Sequence, residues 1–181
     1  MPPKSSKQQK RMREISFSND VLPLKNKLYR LALRITLDKM EAEDIVQETM
    51  IRVWNRRQSW DKIESIDAFC FTICRNLALD KAKSPASDSL PIDETAWTTA
   101  HANSPLSADP QAQTEARDRL EMIKKIMNGL PEKQRSAMHL RDFEGKSYKE
   151  IAAILNISED QVKVNIFRAR QTIKRIFIRL K

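Results

Sequence analysis

An all-α protein of two small helical modules is what this 181-residue sequence predicts, and three observations carry the prediction. Only 2 glycines are present, too few for a chain rich in tight strand connections. No stretch alternates Val, Ile or Thr as a half-buried strand would. Apolar residues instead recur every three to four positions in two blocks, parted by SPASDSLPIDETAWTTAHANSPLSADPQAQTEARD, which has no sustained period. The expected organisation is a disordered basic tail over 1–19, an N-terminal helix bundle over 20–83, a flexible acidic linker over 84–118 and a C-terminal helix-turn-helix module over 119–181.

The first helix is expected to start at Asn19 or Asp20 with Pro23 in its first turn. Leu24, Leu28, Leu31, Leu33 and Ile35 give it an apolar face up to Leu37. In the second, EAEDIVQETMIRVWN (41–55), the pairs Ile45/Val46, Thr49/Met50 and Val53/Trp54 recur every four residues as one buried side. The opposite side shows Asp44, Gln47, Glu48 and Arg52 with Ile51 set among them, which reads either as a solvated face or as a docking surface for a basic partner helix. After the loop 56–65, a third helix over about 66–83 has Ile66, Phe69, Cys70, Ile73 and Leu77 as its core side. Thr72, Asn76, Asp80 and Lys83 line an adjoining edge one turn apart, where polar side chains suit contact with extruded bases. Trp60 in the loop either stacks on such a base or lids the helices.

Trp97 is the one Phe, Trp or Tyr residue of the linker, a stray aromatic or an anchor into a partner's groove. Beyond it, Ser147 caps a short helix whose Ile151, Ala152, Ile154 and Leu155 gather on one face, and Asn156-Ile157-Ser158 breaks it. Ser158 with Gln161 three residues on forms a capping-box pattern, and Val162, Ile166, Ala169 and Ile173 recur as the buried stripe of a long final helix. The face opposite carries Lys163, Val164, Phe167, Arg168 and Gln171. A charge run alone is most often a solvated face. Two apolar residues inside this one, on the second helix of a helix-turn-helix, point instead to the DNA major groove, where Lys or Arg reaches guanine and an apolar group meets a thymine methyl. Arg170, Lys174 and Arg175 lie to the side, suited to phosphate.

Charge agrees with a nucleic-acid partner. The chain carries 33 Lys+Arg against 24 Asp+Glu. Residues 119–181 hold 15 basic and 7 acidic side chains, net +8, whereas 84–118 hold 1 and 6, net −5. Cys70 and Cys74, spaced i, i+4, read as small core residues, since two thiols cannot hold a structural zinc and neither His101 nor His139 stands at ligand spacing. No catalytic triad, paired-carboxylate cleft, Gly-rich phosphate loop or metal cluster can be assembled, so neither an enzyme nor a cofactor is expected. No apolar run reaches the roughly 18–20 residues of a membrane span, and a cytoplasmic location follows as the expectation. The residues alone leave open a free-standing operator-binding regulator whose N-terminal bundle dimerises.

EAEDIVQETMIRVW, then SIDAFCFTICRNLALDKAK, then an acidic linker, then LPEKQRSAMHLRDFEGKSYKEIAAILNISEDQVKVNIFRARQTIKR, together resemble a bacterial sigma factor of the extracytoplasmic-function (ECF) group. The resemblance covers about 20–83 and 119–178 and implies an RNA polymerase specificity subunit. It implies that the first module is region 2, with Asp44, Gln47, Glu48, Ile51 and Arg52 docking on the β′ clamp helices. Trp60, Asp61, Lys62 and Ser65 would then form a flipped-base pocket at the −10 element, and Asn76 and Asp80 would contact bases. The second module would be region 4, meeting the β flap and reading the −35 element with Lys163, Val164, Phe167, Arg168 and Gln171. Implied partners are core RNA polymerase, promoter DNA and an anti-sigma factor, with no small-molecule substrate.

Overall fold

The computed structural model describes residues 14–83 and 110–179, and every regular element among them is helical. Trp97, His101, residues 1–13 of the basic tail and the linker up to 109 lie outside the described residues. A π-type turn at Phe17–Val21 and a 3-10 turn at Leu22–Leu24 lead into α1 (Lys25–Thr36), which ends on Leu37 in the left-handed conformation, φ 58°. Asp38 caps α2 (Lys39–Asn55) by accepting from the Glu41 amide at 2.9 Å. A 3-10 turn at Arg57–Lys62 precedes α3 (Ile66–Ala82), capped by Ser65. The second half comprises α4 (Pro110–Asn128), α5 (Glu132–Met138), a π-type turn at His139–Phe143, α6 (Tyr148–Leu155) and α7 (Glu159–Arg179).

The capping signals act as read. Ser147 and Glu150 form a reciprocal capping box at the start of α6, and Asn156 ends that helix at φ 52°. Ser158 Oγ accepts from the Gln161 amide at 3.2 Å while Gln161 Oε1 accepts from the Ser158 amide at 3.0 Å. α6 and α7 therefore meet as a helix-turn-helix, with Val162, Ile166, Ala169 and Ile173 buried.

The two halves share a core. Leu28, Leu31 and Phe71 of the first belong to one apolar cluster with Leu140, Ile151, Ile154 and Val162 of the second, and α3 lies directly against α6. A smaller cluster of Ile126, Met127, Leu130, Ala169 and Ile173 pins α4 to α7. A polar seam runs along the contact. Arg30 donates through Nε and Nη2 to both oxygens of Glu144 at 2.9 Å. Arg75 does the same to Glu132 at 3.2 and 2.9 Å, Arg34 donates to Asn128 Oδ1 at 2.5 Å, and Lys146 pairs with Asp67. Beneath it His139, fully buried, stacks on Phe143 at 5.5 Å and places Nε2 3.4 Å from Glu144 Oε1.

This contact explains where the periodicity misled. The core side of α3 is centred on Cys70, Phe71, Cys74 and Ala78, while Ile66, Phe69, Ile73 and Leu77 are only partly buried. α3 is sandwiched between α1 and α2 on one side and α6 on the other, so a face that looks outward in an isolated bundle is covered. The same covering buries α1 without interruption from Leu31 to Thr36. Residues 110–118, expected in the linker, are helical. Residues 14–19, expected in the disordered tail, lie against the first bundle, where Ile15 and Phe17 pack on its core. Cys70 and Cys74 are buried, and burial pushes both thiols up to about 12, the values of inert core groups. Among the described residues no helix is long and apolar enough to cross a membrane.

Candidate nucleic-acid interface

α7 turns its expected reading face to solvent. Val164 and Phe167 are 45 % and 62 % exposed, large values for apolar side chains, and Lys163, Arg168 and Gln171 are exposed beside them. They point outward because Val162 and Ile166, one residue away along the helix, belong to the core shared with α5 and α6, and Ala169 packs in the cluster with α4. Lys163 makes only an exposed contact with Asp160 at 3.2 Å. Asn165 is turned onto its own helix, donating to the Gln161 carbonyl at 2.7 Å. Arg170 departs from the phosphate-facing expectation: its guanidinium pairs with Asp142 at 2.5 Å.

α2 presents a second outward surface. Asp44, Gln47 and Ile51 are exposed at i, i+3 and i+7, and Met40 continues the row one turn earlier, an extension the sequence reading missed by starting the helix at 41. Glu48 and Arg52 pair with each other at 2.6 Å across one turn. Trp54 was expected among the buried residues and is 46 % exposed. Its ring meets Phe17 edge-on at 5.3 Å and carries the Arg57 guanidinium at 4.6 Å.

The loop after α2 forms a third feature. Trp60 is 7 % exposed and donates its indole N–H to the Val53 carbonyl at 3.2 Å, which makes it a lid over the bundle and not a ring open to stacking. Ser65, placed with the base-reading residues, spends its hydroxyl oxygen on the Ala68 amide at 3.2 Å to start α3. Asp61, Lys62, Asn76 and Asp80 are exposed. A cavity of 390 Å3 opens beside the loop, lined by Arg57, Gln58, Trp60, Asp61 and Ile63 together with Glu14 and Ile15. Nothing in the sequence pattern joins Glu14 to a loop more than forty residues away.

Residues 21–86 match the family described as Sigma-70 region 2, and residues 120–173 match Sigma-70, region 4. The chain is 32% identical over 154 residues to the ECF RNA polymerase sigma factor SigM of Bacillus subtilis, covering 85% of this chain and 90% of that one. It is 31% identical over 176 residues to SigW of the same organism, covering 95% and 94%. Among solved structures, the sigma factor RpoE of Bartonella quintana, in complex with the anti-sigma factor NepR, superposes with a TM-score of 0.66 at 26% identity, covering 89% of this chain and 96% of that one.

Proposed function

The chain belongs to the ECF RNA polymerase sigma factor family, and from that premise we propose how its surfaces divide the work. It binds core RNA polymerase and directs promoter recognition, DNA melting and transcription initiation. It acts by binding in the cytoplasm, and catalysis stays with the core enzyme. The observation that carries the division is the pair of outward helical faces: one is acidic with exposed Met40 and Ile51, the other basic with exposed Val164 and Phe167.

The α2 row, with Asp44 and Glu48 as charged members and Ile51 as apolar anchor, takes the β′ clamp helices. Charge complementarity there sets partner choice and encounter rate more than affinity. α7 enters the major groove at the −35 element, Lys163 and Arg168 reaching base edges and Val164 and Phe167 meeting methyl groups. Asp61, Lys62, Asn76 and Asp80 contact the −10 element, where capture of an extruded base offsets an unstacking cost of a few kcal/mol. Elements about 25 base pairs apart lie about 85 Å apart along B-form DNA, at 3.4 Å per pair. A compact chain of this length has a radius of gyration of about 16 Å. The two halves therefore part along the seam when both elements are held, and an anti-sigma factor acts on the surfaces they expose.

Permanganate footprinting with reconstituted holoenzyme tests the assignment. Asn76→Ala should spare core binding and −35 engagement, block opening of a duplex promoter, and regain activity on a premelted one. Normal opening on duplex DNA by this variant removes the α3 edge from the melting step.

A further inference from the structure

We propose that the segment before the first helix completes the base-capture cavity, and that Glu14 makes it select bases bearing an exocyclic amine over thymine. The inference rests on reading the loop 56–65 as the base-capturing element. Glu14 and Ile15 lie outside the 21–86 match to region 2, so their contribution is a property of this chain and not one carried by that match.

The segment is fixed in place. The Ser16 amide donates to Asp20 Oδ2 at 2.7 Å and the Asp20 amide to the Ser16 carbonyl at 2.8 Å, closing a tight ring. Phe17 meets Trp54 edge-on, Trp54 meets Trp60 at 6.5 Å, and Val21 is fully buried, so the segment is tied to the end of α2 and to the loop. Glu14 and Ile15 thereby form one wall of the 390 Å3 cavity, which falls within the roughly 300–1,000 Å3 usual for small-ligand sites.

The lining sets the chemistry. Ile15, Ile63 and the edge of Trp60 supply apolar surface for a base. The Trp60 indole N–H is already given to Val53, and Arg57 donates to the Trp54 carbonyl at 3.2 Å with its guanidinium over the Trp54 ring. Glu14, Gln58 and Asp61 remain; the Gln58 amide donates or accepts and so suits either kind of base edge, whereas the two ionised carboxylates only accept hydrogen bonds. A base offering N–H2 satisfies them, as when an acidic side chain accepts from cytosine N4. Thymine presents carbonyl oxygens on either side of its single ring N–H and is disfavoured. The sequence preceding Glu14 carries five Lys and Arg and no Asp or Glu over residues 1–13, a charge balance that suits a nucleic-acid partner.

The test uses holoenzyme made with the full chain on bubble promoters in which each non-template position of the −10 element carries each base in turn. The wild type should prefer amine-bearing bases over thymine by about tenfold at one position. Glu14→Gln, which can donate as well as accept, should cut that preference to about twofold while leaving core association and −35 binding unchanged. Retained discrimination in Glu14→Gln, with discrimination lost in Asp61→Asn, overturns the role of Glu14 and keeps the loop as the reader. If the wild type discriminates at one position and no variant among Glu14, Gln58 and Asp61 alters it, the cavity is not the base site. The loop reading then fails as well.

Discussion

Arg75 and Arg168 are both guanidinium groups on long helices, yet they stand in opposite situations. Arg75 is 6 % exposed and forked onto Glu132 across the seam, whereas Arg168 is exposed on α7. The contrast holds for the regions they represent. In the seam, charge is buried with its counter-charge and hydrogen-bonded at both oxygens, as Arg30 is with Glu144. On the outward faces, apolar side chains such as Ile51 and Phe167 stand in water among charges that water still hydrates. A buried, satisfied ion pair is costly to break one-sidedly but adds little over an apolar contact, so it fixes register without making the contact permanent. Exposed apolar groups ringed by charge gain only when a partner covers them. One region specifies how the free chain closes and the other what it meets when it opens.

The sharpest way to break this comparison is to remove one member of the seam. Glu144→Ala should leave Arg30 unpaired beside His139 and destabilise the fold by about 3–5 kcal/mol, read by thermal or urea denaturation. A loss under about 1 kcal/mol would show that the seam does not hold the halves together. Outward charges should behave in reverse. Asp44→Lys with Glu48→Lys should weaken co-elution with core polymerase by on the order of a hundredfold, since like charges at an interface cost several kcal/mol, while the melting temperature stays put. Smaller still, Arg168→Ala should cost about 1–3 kcal/mol on −35 duplexes and relax base preference, whereas Lys174→Ala should lower the salt slope by about one unit uniformly.

Acidity sharpens the comparison within the seam. Burial lowers the pKa of His139, a shift opposed by its hydrogen bond to Glu144 and reinforced by Arg34 and Arg30. Burial alone would raise Glu144, but hydrogen bonds with His139 and Arg30, and their charges, outweigh it and hold the carboxyl at about 2. The unfolded chain therefore takes up a proton on His139 near pH 6.5 before the folded chain does, and stability should fall as pH drops from 7 toward 5. The contribution of Glu144 is kept through that window and lost only below about pH 4.3. His139→Gln should flatten the first slope in a pH series of melting temperatures. The least effect should come from Lys149→Ala, within about 0.5 kcal/mol, because its pair with Glu64 is exposed on both sides.

The caps at Ser147 and Ser158, the break at Asn156 and the outward set from Lys163 to Gln171 were legible because each depends on neighbours within about four residues along one helix. The bundle helices were legible for the same reason, and so was the acidic row on α2, apart from Met40. Trp54, Trp60 and the inner face of α3 were not. Periodicity reports that a helix has an apolar side but not how many neighbours cover it, and α3 is covered twice. Arg30 meets Glu144 across 114 positions and Arg75 meets Glu132 across 57, with no spacing rule to connect them. The sequence by itself determined the helices, their caps and the chemistry they show to solvent, since backbone hydrogen bonding and side-chain period act locally. Only the tertiary structure decided the seam and the Glu14 wall of the loop cavity, because burial and ion pairing depend on which distant segments the shared core draws together.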